Sequence, residues 1–344
     1  METTYDAVVV VSFGGPEGPD EVIPFLENVL RGRDVPRSRL EEVAGHYAHF
    51  GGVSPINAAN RALVAALAAE LAAHAIALPV YWGNRNWHPL LPDTLARMGA
   101  DGVRRALAFV TSAYSSWSGC RQYREDFARA RAEVGAGAPE VEKLRAFYNH
   151  PGFVEANAAH VAGALGSIPP GRREGATLLF TAHSIPLAMA AGCAYEGQLA
   201  ETCRLVAEAV GHPRWRLVYQ SRSGAPGQPW LGPDVREALE DLALGRATDV
   251  VVSPVGFISD HMEVRFDLDT EAGERAAELG LNMVRAATAG SHPAFVGMVR
   301  ELVEERLGRL PLRRAIGRFG PGHDVCPADC CLPGSVTSAR PGSS

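Results

Sequence analysis

Short apolar runs alternate along the chain with amphipathic stretches of about helical length. Each apolar run is bounded by Gly, Ser or Pro, and each longer stretch carries apolar residues at helical spacing. This alternation is typical of βα units that build a mostly parallel sheet. The predicted strands are Ala7–Ser12, Leu78–Trp82, Arg105–Thr111, Thr177–Thr181, Arg216–Gln220 and Asp249–Val255. The predicted helices are Asp20–Arg31, Asn57–Ala73, Cys120–Val134, Pro151–Leu165, Gln198–Val210, Pro233–Leu244, Thr270–Leu279 and Pro293–Leu307.

The same plan runs through the chain twice. The 344 residues exceed a typical domain of roughly 100–200 residues, so two α/β halves are predicted. The first half is predicted over residues 1–150 and the second over 151–320, followed by a cysteine-containing tail over 321–344. The end of the tail is rich in Gly, Ser and Pro, which predicts that the tail is partly disordered.

Composition narrows the class of protein. Hydrophobic residues make up 47% and charged residues 21% of the chain, as in ordinary globular proteins, and the net charge of −6 argues against a nucleic-acid binder. The first ten residues lack the pattern of a signal peptide, and the chain holds no run of about 18 apolar residues. We therefore expect a cytoplasmic protein without a transmembrane segment, whose six cysteines are free thiols or metal ligands.

Polar and reactive residues gather at the ends of the predicted strands, where open α/β sheets bind ligands. Phe13 follows the first strand within FGGPEGP, which matches neither common phosphate-binding loop. His183 follows the strand Thr177–Thr181, and Glu263 lies beyond the strand Asp249–Val255. We therefore predict that the reactive side chains lie together along one rim, at the ends of the strands.

Carboxylates give His183 a candidate partner. If residues 260–269 are helical, Glu263 and Asp267 share one face, Asp260 stands a turn earlier, and Asp269 lies two residues beyond Asp267. A packed histidine and a solvated helix N-terminus are the simpler interpretations. Together, the imidazole and the carboxylates predict a site that moves protons or passes a divalent metal.

Five segments, in the order SFGGPEGP, GGVSPIN, TAHSIP, YQSRSGAPGQPWLGPDV and GFISDHMEVRFDLD, resemble the ferrochelatase family. The resemblance extends from about residue 5 to 310. It implies two Rossmann-like halves, each a parallel sheet flanked by helices, with a porphyrin cleft between them. It also implies that ferrous iron, as a substrate, is inserted into a free-base porphyrin. His183 matches the catalytic histidine and Glu263 the facing glutamate, and these two residues with Asp267 would handle metal and protons.

The same resemblance implies contacts with the porphyrin. Tyr47, Ser54 and Tyr123 match positions that touch the substrate in the family. His46 and Leu30 stand where some relatives have arginine, so part of the expected clamp on the propionate carboxylates differs here.

Phe13 is a further departure, because it occupies the place where certain Gram-positive relatives carry a tyrosine that can ligate the product iron. The segment AYSSWSGCRQYRED and the cysteine tail resemble forms from high-GC Gram-positive bacteria that use coproporphyrin III. Protoporphyrin IX is the alternative substrate. The competing hypotheses for function are a chelatase for another metal or tetrapyrrole, a non-catalytic heme or metal carrier, and an iron–sulfur sensor. We expect a monomer that meets neighbouring heme-pathway enzymes transiently.

Three of the six cysteines, Cys326, Cys330 and Cys331, lie within six residues near the end of the chain. Three thiols are one ligand short of a tetrahedral set, and Cys120 is the candidate for the fourth. The resemblance implies a [2Fe–2S] cluster on one internal cysteine and three from the C-terminal extension. A zinc site and an adventitious one are the alternatives.

Overall fold

The computed structural model describes residues 4–32, 35–223 and 227–333. The strands are β1 (Ala7–Ser12), β2 (Val80–Asn84), β3 (Arg105–Val110), β4 (Glu140–Lys143), β5 (Thr177–His183), β6 (Trp215–Gln220), β7 (Asp249–Ser253) and β8 (Asn282–Arg285). The helices are α1 (Pro19–Val29), α2 (Arg37–Ala48), α3 (Ile56–Ala73), α4 (Leu91–Ala100), α5 (Gln122–Val134), α6 (Pro151–Gly166), α7 (Pro170–Arg173), α8 (Leu187–Ala190), α9 (Tyr195–Ala209), α10 (Val235–Leu244), α11 (Met262–Val264), α12 (Gly273–Glu278) and α13 (Pro293–Arg306). Two π-helices (Trp117–Arg121 and Arg265–Ala272) and a 3₁₀ turn (Gly135–Gly137) complete the set. Among the helices in these ranges, none has both the length and the apolar character needed to cross a membrane.

The strands form two four-stranded sheets with one topology. The first sheet has the order β2-β1-β3-β4 and the second has the order β6-β5-β7-β8. Every pairing within both sheets is parallel. The prediction of parallel sheets flanked by helices, repeated in two halves, is confirmed. Because all strands of a sheet point the same way, their carboxyl ends share one edge.

Strand bounds differ from the prediction where backbone pairing or proline overrides hydropathy. β2 lies two residues later than predicted, because Gly83 and Asn84 pair with the end of β1 although neither is apolar. β7 ends at Ser253 because the next residue, Pro254, has no amide hydrogen to donate. β4 and β8 were not predicted. Each is a four-residue strand at a sheet edge and lacks a buried apolar run.

Two long helices, α2 and α4, and two single-turn helices, α7 and α8, were also missed. The two π-helices change the course of two predicted helices. The predicted helix Cys120–Val134 begins as the π-helix Trp117–Arg121 and continues as α5. The predicted helix Thr270–Leu279 is the end of a continuous helical segment that starts at Met262. A π-turn closes i to i+5, and residue spacing alone does not separate it from an α-turn.

The two halves share a core. Val8 of β1, Phe109 of β3 and Phe180 of β5 are fully buried in one hydrophobic cluster. The last helix, α13, packs against both α3 and α6, so the end of the second half crosses to the first. The two sheets are therefore held together by packing, and their facing edges are fixed relative to each other.

A buried ion pair anchors α13. The Arg145 guanidinium donates to both Glu305 carboxylate oxygens at 2.7 Å, and the two side chains are only 1% and 3% exposed. In Glu305→Gln the buried guanidinium loses its counter-charge, so we expect a loss of about 3–5 kcal/mol in the free energy of unfolding. Urea unfolding followed by circular dichroism measures it. Glu278→Gln, in an exposed pair with Arg275, should cost less than about 1 kcal/mol. Equal losses in the two variants would contradict this prediction.

Candidate active site

His183 is the last residue of β5, and its imidazole faces Glu263. The His183 Nε2 atom lies 3.5 Å from Glu263 Oε1, and 31% and 48% of the two side chains are exposed. The other ring nitrogen, Nδ1, contacts the backbone oxygen of Ser184. Because a backbone carbonyl only accepts hydrogen bonds, Nδ1 carries a hydrogen and Nε2 is the atom presented to the carboxylate. The pair is therefore both oriented and accessible.

The close approach of two segments sets this pairing. Gly256 follows β7, and its amide donates to Thr181 O at 2.9 Å. A Cβ atom at position 256 would lie 2.6 Å from Ala182, the neighbour of His183. Glycine is therefore required where the loop leading to Glu263 passes β5.

The pair is charged at rest. Burial alone would lower the pKa of His183, but the carboxylate of Glu263 and the Ser184 carbonyl raise it to about 9. Burial likewise opposes ionisation of Glu263, but the charge and hydrogen bond of His183 lower the pKa of that carboxyl to about 2. At neutral pH the site therefore holds an imidazolium facing a carboxylate.

Three carboxylates, of which Glu263 of the pair is the first, follow one another along one helical segment. Glu263 lies in α11, and Asp267 and Glu271 follow at four-residue intervals in the π-helix Arg265–Ala272. Burial, with the charges of Glu263 and Glu271, raises the pKa of Asp267 to about 7. Glu271 stands 3.5 Å from Arg236 at the far end. The row can bind a cation or carry protons along its length.

The end of β6 holds the middle carboxylate of the row. The Ser221 hydroxyl donates to Asp267 Oδ2, and Gln220 Nε2 donates to Glu263 O at 3.0 Å. Ser221 has a φ of +61°, a left-handed conformation that is uncommon outside glycine. This strained backbone directs the Ser221 side chain toward Asp267.

The expected place of one other carboxylate, Asp260, is wrong. Asp260 precedes the helical segment, which starts at Met262, so it does not stand a turn below Glu263 on one face. Instead, Arg285 Nη2 donates to Asp260 Oδ2 at 2.8 Å and Arg285 also bonds Asp269. Arg265 also pairs with Asp269, at 3.0 Å, so two arginines balance Asp260 and Asp269, which are structural ion-pair partners.

The first half supplies an aromatic cluster next to the pair. Tyr47 is buried in a cluster with Phe25 and with Met262, the residue before Glu263. Burial, and then the charge of Glu263, raise the pKa of Tyr47, so its hydroxyl stays protonated. Phe13 packs edge-on against Phe25 and keeps 39% of its surface exposed. Tyr47 therefore lies close to Glu263, and Phe13 is joined to it through Phe25.

Ser54 and Tyr123 are more deeply placed, at 3% and 5% exposure. Ser54 packs against Gly15, and its amide donates to Pro16 O at 2.8 Å. The Arg85 guanidinium lies 4.5 Å from the centre of the Tyr123 ring. Both hydroxyl-bearing residues are thus built into the wall after β1 and β3 rather than standing free in the cleft.

His46 and Leu30, the positions where the resemblance implied arginine in some relatives, have other contacts. His46 stacks on Phe266 at 3.8 Å, and this contact joins α2 to the π-helix Arg265–Ala272. Leu30 ends α1 and packs against the cluster that contains Tyr47. His46 therefore connects the two walls of the cleft, a role that the sequence did not indicate.

His261, Glu271 and Ser221 were not predicted as site residues. His261 Nδ1 accepts from the Glu263 amide at 3.1 Å and so caps the helical segment, and burial lowers the pKa of this second histidine. Histidine is not among the residues that usually cap helices, so the sequence carried no signal for this cap. The role of Ser221 depends on its backbone conformation, which the sequence does not show.

The tail brings the predicted thiols together. The thiols of Cys120 and Cys326 face each other, and the Sγ atoms of Cys330 and Cys331 are 3.5 Å apart. The Cys120 thiol and burial raise the pKa of Cys326 to about 12, because neighbouring thiolates repel one another. A bound cation would remove that repulsion and deprotonate the thiols. The Arg121 guanidinium, which donates to Ala328 O at 2.7 Å, adds positive charge to the same surroundings. This donor set fits a metal–thiolate centre.

Comparisons with known proteins agree with this geometry. The Ferrochelatase family model matches residues 5–307. A ferrochelatase of Rhodopirellula baltica is 58% identical over 340 residues, which cover 98% of this chain and 95% of that protein. Coproporphyrin III ferrochelatases of Nocardia farcinica and Streptomyces coelicolor are 53% and 51% identical, each over 95% of this chain and over 97% and 93% of their own lengths.

A solved structure supports the fold. SirB from Bacillus subtilis with Fe³⁺ aligns with a TM-score of 0.53 at 13% identity, over 89% of this chain and 98% of its own. The family match and the high identities cover nearly the whole chain, including the segments that carry His183 and Glu263. The chain therefore belongs to the ferrochelatase family and is an enzyme that inserts a metal ion into a porphyrin.

Proposed function

We propose that the enzyme inserts ferrous iron into coproporphyrin III and forms Fe-coproporphyrin III. The observation that carries the iron site is the accessible His183–Glu263 pair, from which Asp267 and Glu271 lead away along one helical face. Tyr47 packs with Met262 beside Glu263, and Phe13 packs edge-on against Phe25 of the same cluster. A flat macrocycle held beside this aromatic cluster would present its nitrogens to His183.

Insertion releases two protons from the pyrrole nitrogens as one Fe²⁺ enters. His183 is protonated at rest, so it can accept a pyrrole proton only after losing its own. Iron binding at Glu263 would weaken the ion pair and lower the pKa of His183, which frees Nε2. Asp267, whose pKa is about 7, can take up or release a proton near neutral pH. The geometry thus couples metal arrival to proton acceptance.

The choice of coproporphyrin III is supported by the relatives. Several proteins between 49% and 55% identical to this chain are named coproporphyrin III ferrochelatase, whereas the Rhodopirellula baltica relative carries only the name ferrochelatase. Coproporphyrin has four propionate groups and protoporphyrin has two. Discrimination therefore requires groups at the cleft that recognise carboxylates.

The substrate is tested by anaerobic Fe(II) insertion with coproporphyrin III and protoporphyrin IX on the purified enzyme. We expect kcat/KM to be at least about tenfold higher for coproporphyrin III. With protoporphyrin IX, the enzyme groups that bind the two additional propionates would be left without partners, and each such loss costs roughly 1 kcal/mol. Loss of insertion in His183→Ala confirms that the signal is enzymatic. A preference for protoporphyrin IX would overturn this substrate assignment.

The carboxylate row predicts a pH dependence. Below pH 7 Asp267 is protonated and neutral, and above pH 7 it is ionised, so cation binding along the row should strengthen as the pH rises through about 7. We expect the insertion rate at subsaturating iron to rise through this range in the wild type. In Asp267→Asn the rise should disappear. Exposed Glu274→Gln, one helical segment further on, is the matched control and should keep the wild-type profile. The same profile in Asp267→Asn would contradict the role of Asp267.

We also propose that the tail thiols hold a metal centre, of which a [2Fe–2S] cluster is the form that the resemblance implies. The four thiols predicted as ligands are Cys120, Cys326, Cys330 and Cys331, and the support is their convergence beside Arg121. When bound, such a cluster supplies one-electron redox chemistry or a structural crosslink. Protein purified anaerobically should contain iron, acid-labile sulfide and visible absorbance, and Cys120→Ser should lose them. Iron-free, colourless wild-type protein would overturn the cluster.

A further inference from the structure

The tail contains a fifth donor that the cysteine pattern does not include. A ring nitrogen of His323 and the Sγ atoms of Cys326 and Cys330 all lie within 4.8 Å of one another. In sequence the three residues form H-x2-C-x3-C, a spacing that metal-binding loops use. In a tetrahedral zinc site with Zn–S bonds of about 2.3 Å, ligand sulfurs are about 3.8 Å apart, so small movements would bring the three atoms onto one ion.

Cys120 completes this set better than Cys331 does. The Cys120 thiol is a hydrogen-bonding neighbour of Cys326 and also lies near enough to Cys330 to interact with it, so it stands beside two thiols of the trio. Cys331, whose own backbone is left-handed with φ +55°, contacts the thiol of Cys330; the group of mutually close donors contains neither Cys331 nor Cys120. Cys120 is also fixed, because it is buried in the π-helix Trp117–Arg121.

The segment that carries His323 is held in place by neighbouring contacts. Arg313 donates to Gly322 O at 2.5 Å and pairs with Asp324 at 3.0 Å, on the two sides of His323. Arg121 donates to Ala328 O and Cys330 O, which fixes the loop between the two tail cysteines. These contacts connect the tail to the π-helix of the first half, so the donors are presented by ordered backbone.

We propose that His323 is a metal ligand and that the tail centre uses Cys120, Cys326, Cys330 and His323, with Cys331 outside the ligand set. Three thiolates and one imidazole are a common closed set for a structural metal, and a histidine also replaces cysteine in some iron–sulfur centres. The inference rests on the tail metal centre proposed above. It does not depend on whether that centre holds a mononuclear ion or a cluster.

The test compares His323→Ala with Cys331→Ser. The matched histidine control is His292→Ala, at the N-cap position just before α13. Each full-length protein is stripped of metal under reducing, anaerobic conditions and titrated with Co²⁺, whose thiolate charge-transfer and tetrahedral absorption bands report the ligands. We expect one tight site in the wild type, in Cys331→Ser and in the control. In His323→Ala we expect Co²⁺ affinity to fall at least about tenfold, as losing a ligand should cost no less than losing an outer-shell partner. His323→Cys should bind again with the bands shifted toward an all-sulfur site.

The outcomes separate the two proposals. If Cys331→Ser loses affinity and His323→Ala does not, the ligand assignment is wrong while the metal centre stands. If the wild type binds no Co²⁺ at the tail and contains neither iron nor zinc as purified, both the metal centre and the role of His323 are wrong. Iron and sulfide analysis of the purified protein distinguishes a cluster from a zinc ion. In the cluster case, nitrogen hyperfine coupling that disappears in His323→Ala supports the same assignment.

Discussion

His183→Ala is expected to lower iron insertion by at least about 10²–10⁴-fold while porphyrin binding stays nearly unchanged. The imidazole is the group at the end of β5 that faces Glu263 at 3.5 Å, and its Nδ1 hydrogen is committed to Ser184. Removing it deletes the Nε2 atom that would meet pyrrole protons. The macrocycle would rest on walls formed by other side chains, such as Phe13 and Tyr47, so its affinity should change little.

Two measurements separate this role from a structural one. Porphyrin binding is followed by fluorescence quenching and insertion by single-turnover absorbance, on His183→Ala and on His74→Ala. His74 is 43% exposed at the end of α3 and serves as the matched histidine control. Imidazole added to His183→Ala should restore part of the insertion rate, since the missing ring leaves space beside Glu263. Full activity in His183→Ala would remove the basis of the proposed mechanism.

The sequence predicted the two-half parallel architecture because buried central strands such as β1 and β5 are long apolar runs. Two of the four edge strands, β4 and β8, escaped prediction because they are stabilised by pairing with one neighbour rather than by their own hydropathy. The helix α2 escaped because its surface is largely polar. Long apolar strands can thus be predicted from the local sequence pattern, whereas short or largely polar elements depend on the partner that covers them.

The positions of some site residues could be predicted from the sequence, and those of others could not. His183 and Glu263 follow predicted strands, so the common edge of the sheet already implied that they lie together. Asp260 was misplaced because the helical segment begins two residues later, a difference that reversed its role from ladder to ion pair with Arg285. The stack of His46 on Phe266 joins residues 220 positions apart and has no local signal.

Glu263→Gln tests whether Glu263 binds the iron or only sets the protonation state of His183. In the wild type the carboxylate holds the pKa of His183 at about 9, so the imidazole is protonated at pH 8. Without that charge, burial dominates, and we expect the pKa of His183 to fall toward its ordinary value of about 6.5. The variant would therefore contain a neutral, proton-accepting imidazole at pH 8 but no carboxylate for iron.

We expect Glu263→Gln to insert iron at least about 10²-fold more slowly than the wild type at pH 8, despite its neutral His183. That result would show that the carboxylate is needed for the cation and not only to orient the imidazole. NMR titration of the His183 ring measures the pKa change, and stopped-flow insertion at varied Fe²⁺ separates KM from kcat. Glu274→Gln, an exposed neighbour on α12, should change neither quantity. If Glu263→Gln lowers the pKa of His183 yet inserts iron at the wild-type rate, Glu263 serves the proton alone, and iron must reach the porphyrin by a route that bypasses the carboxylate row.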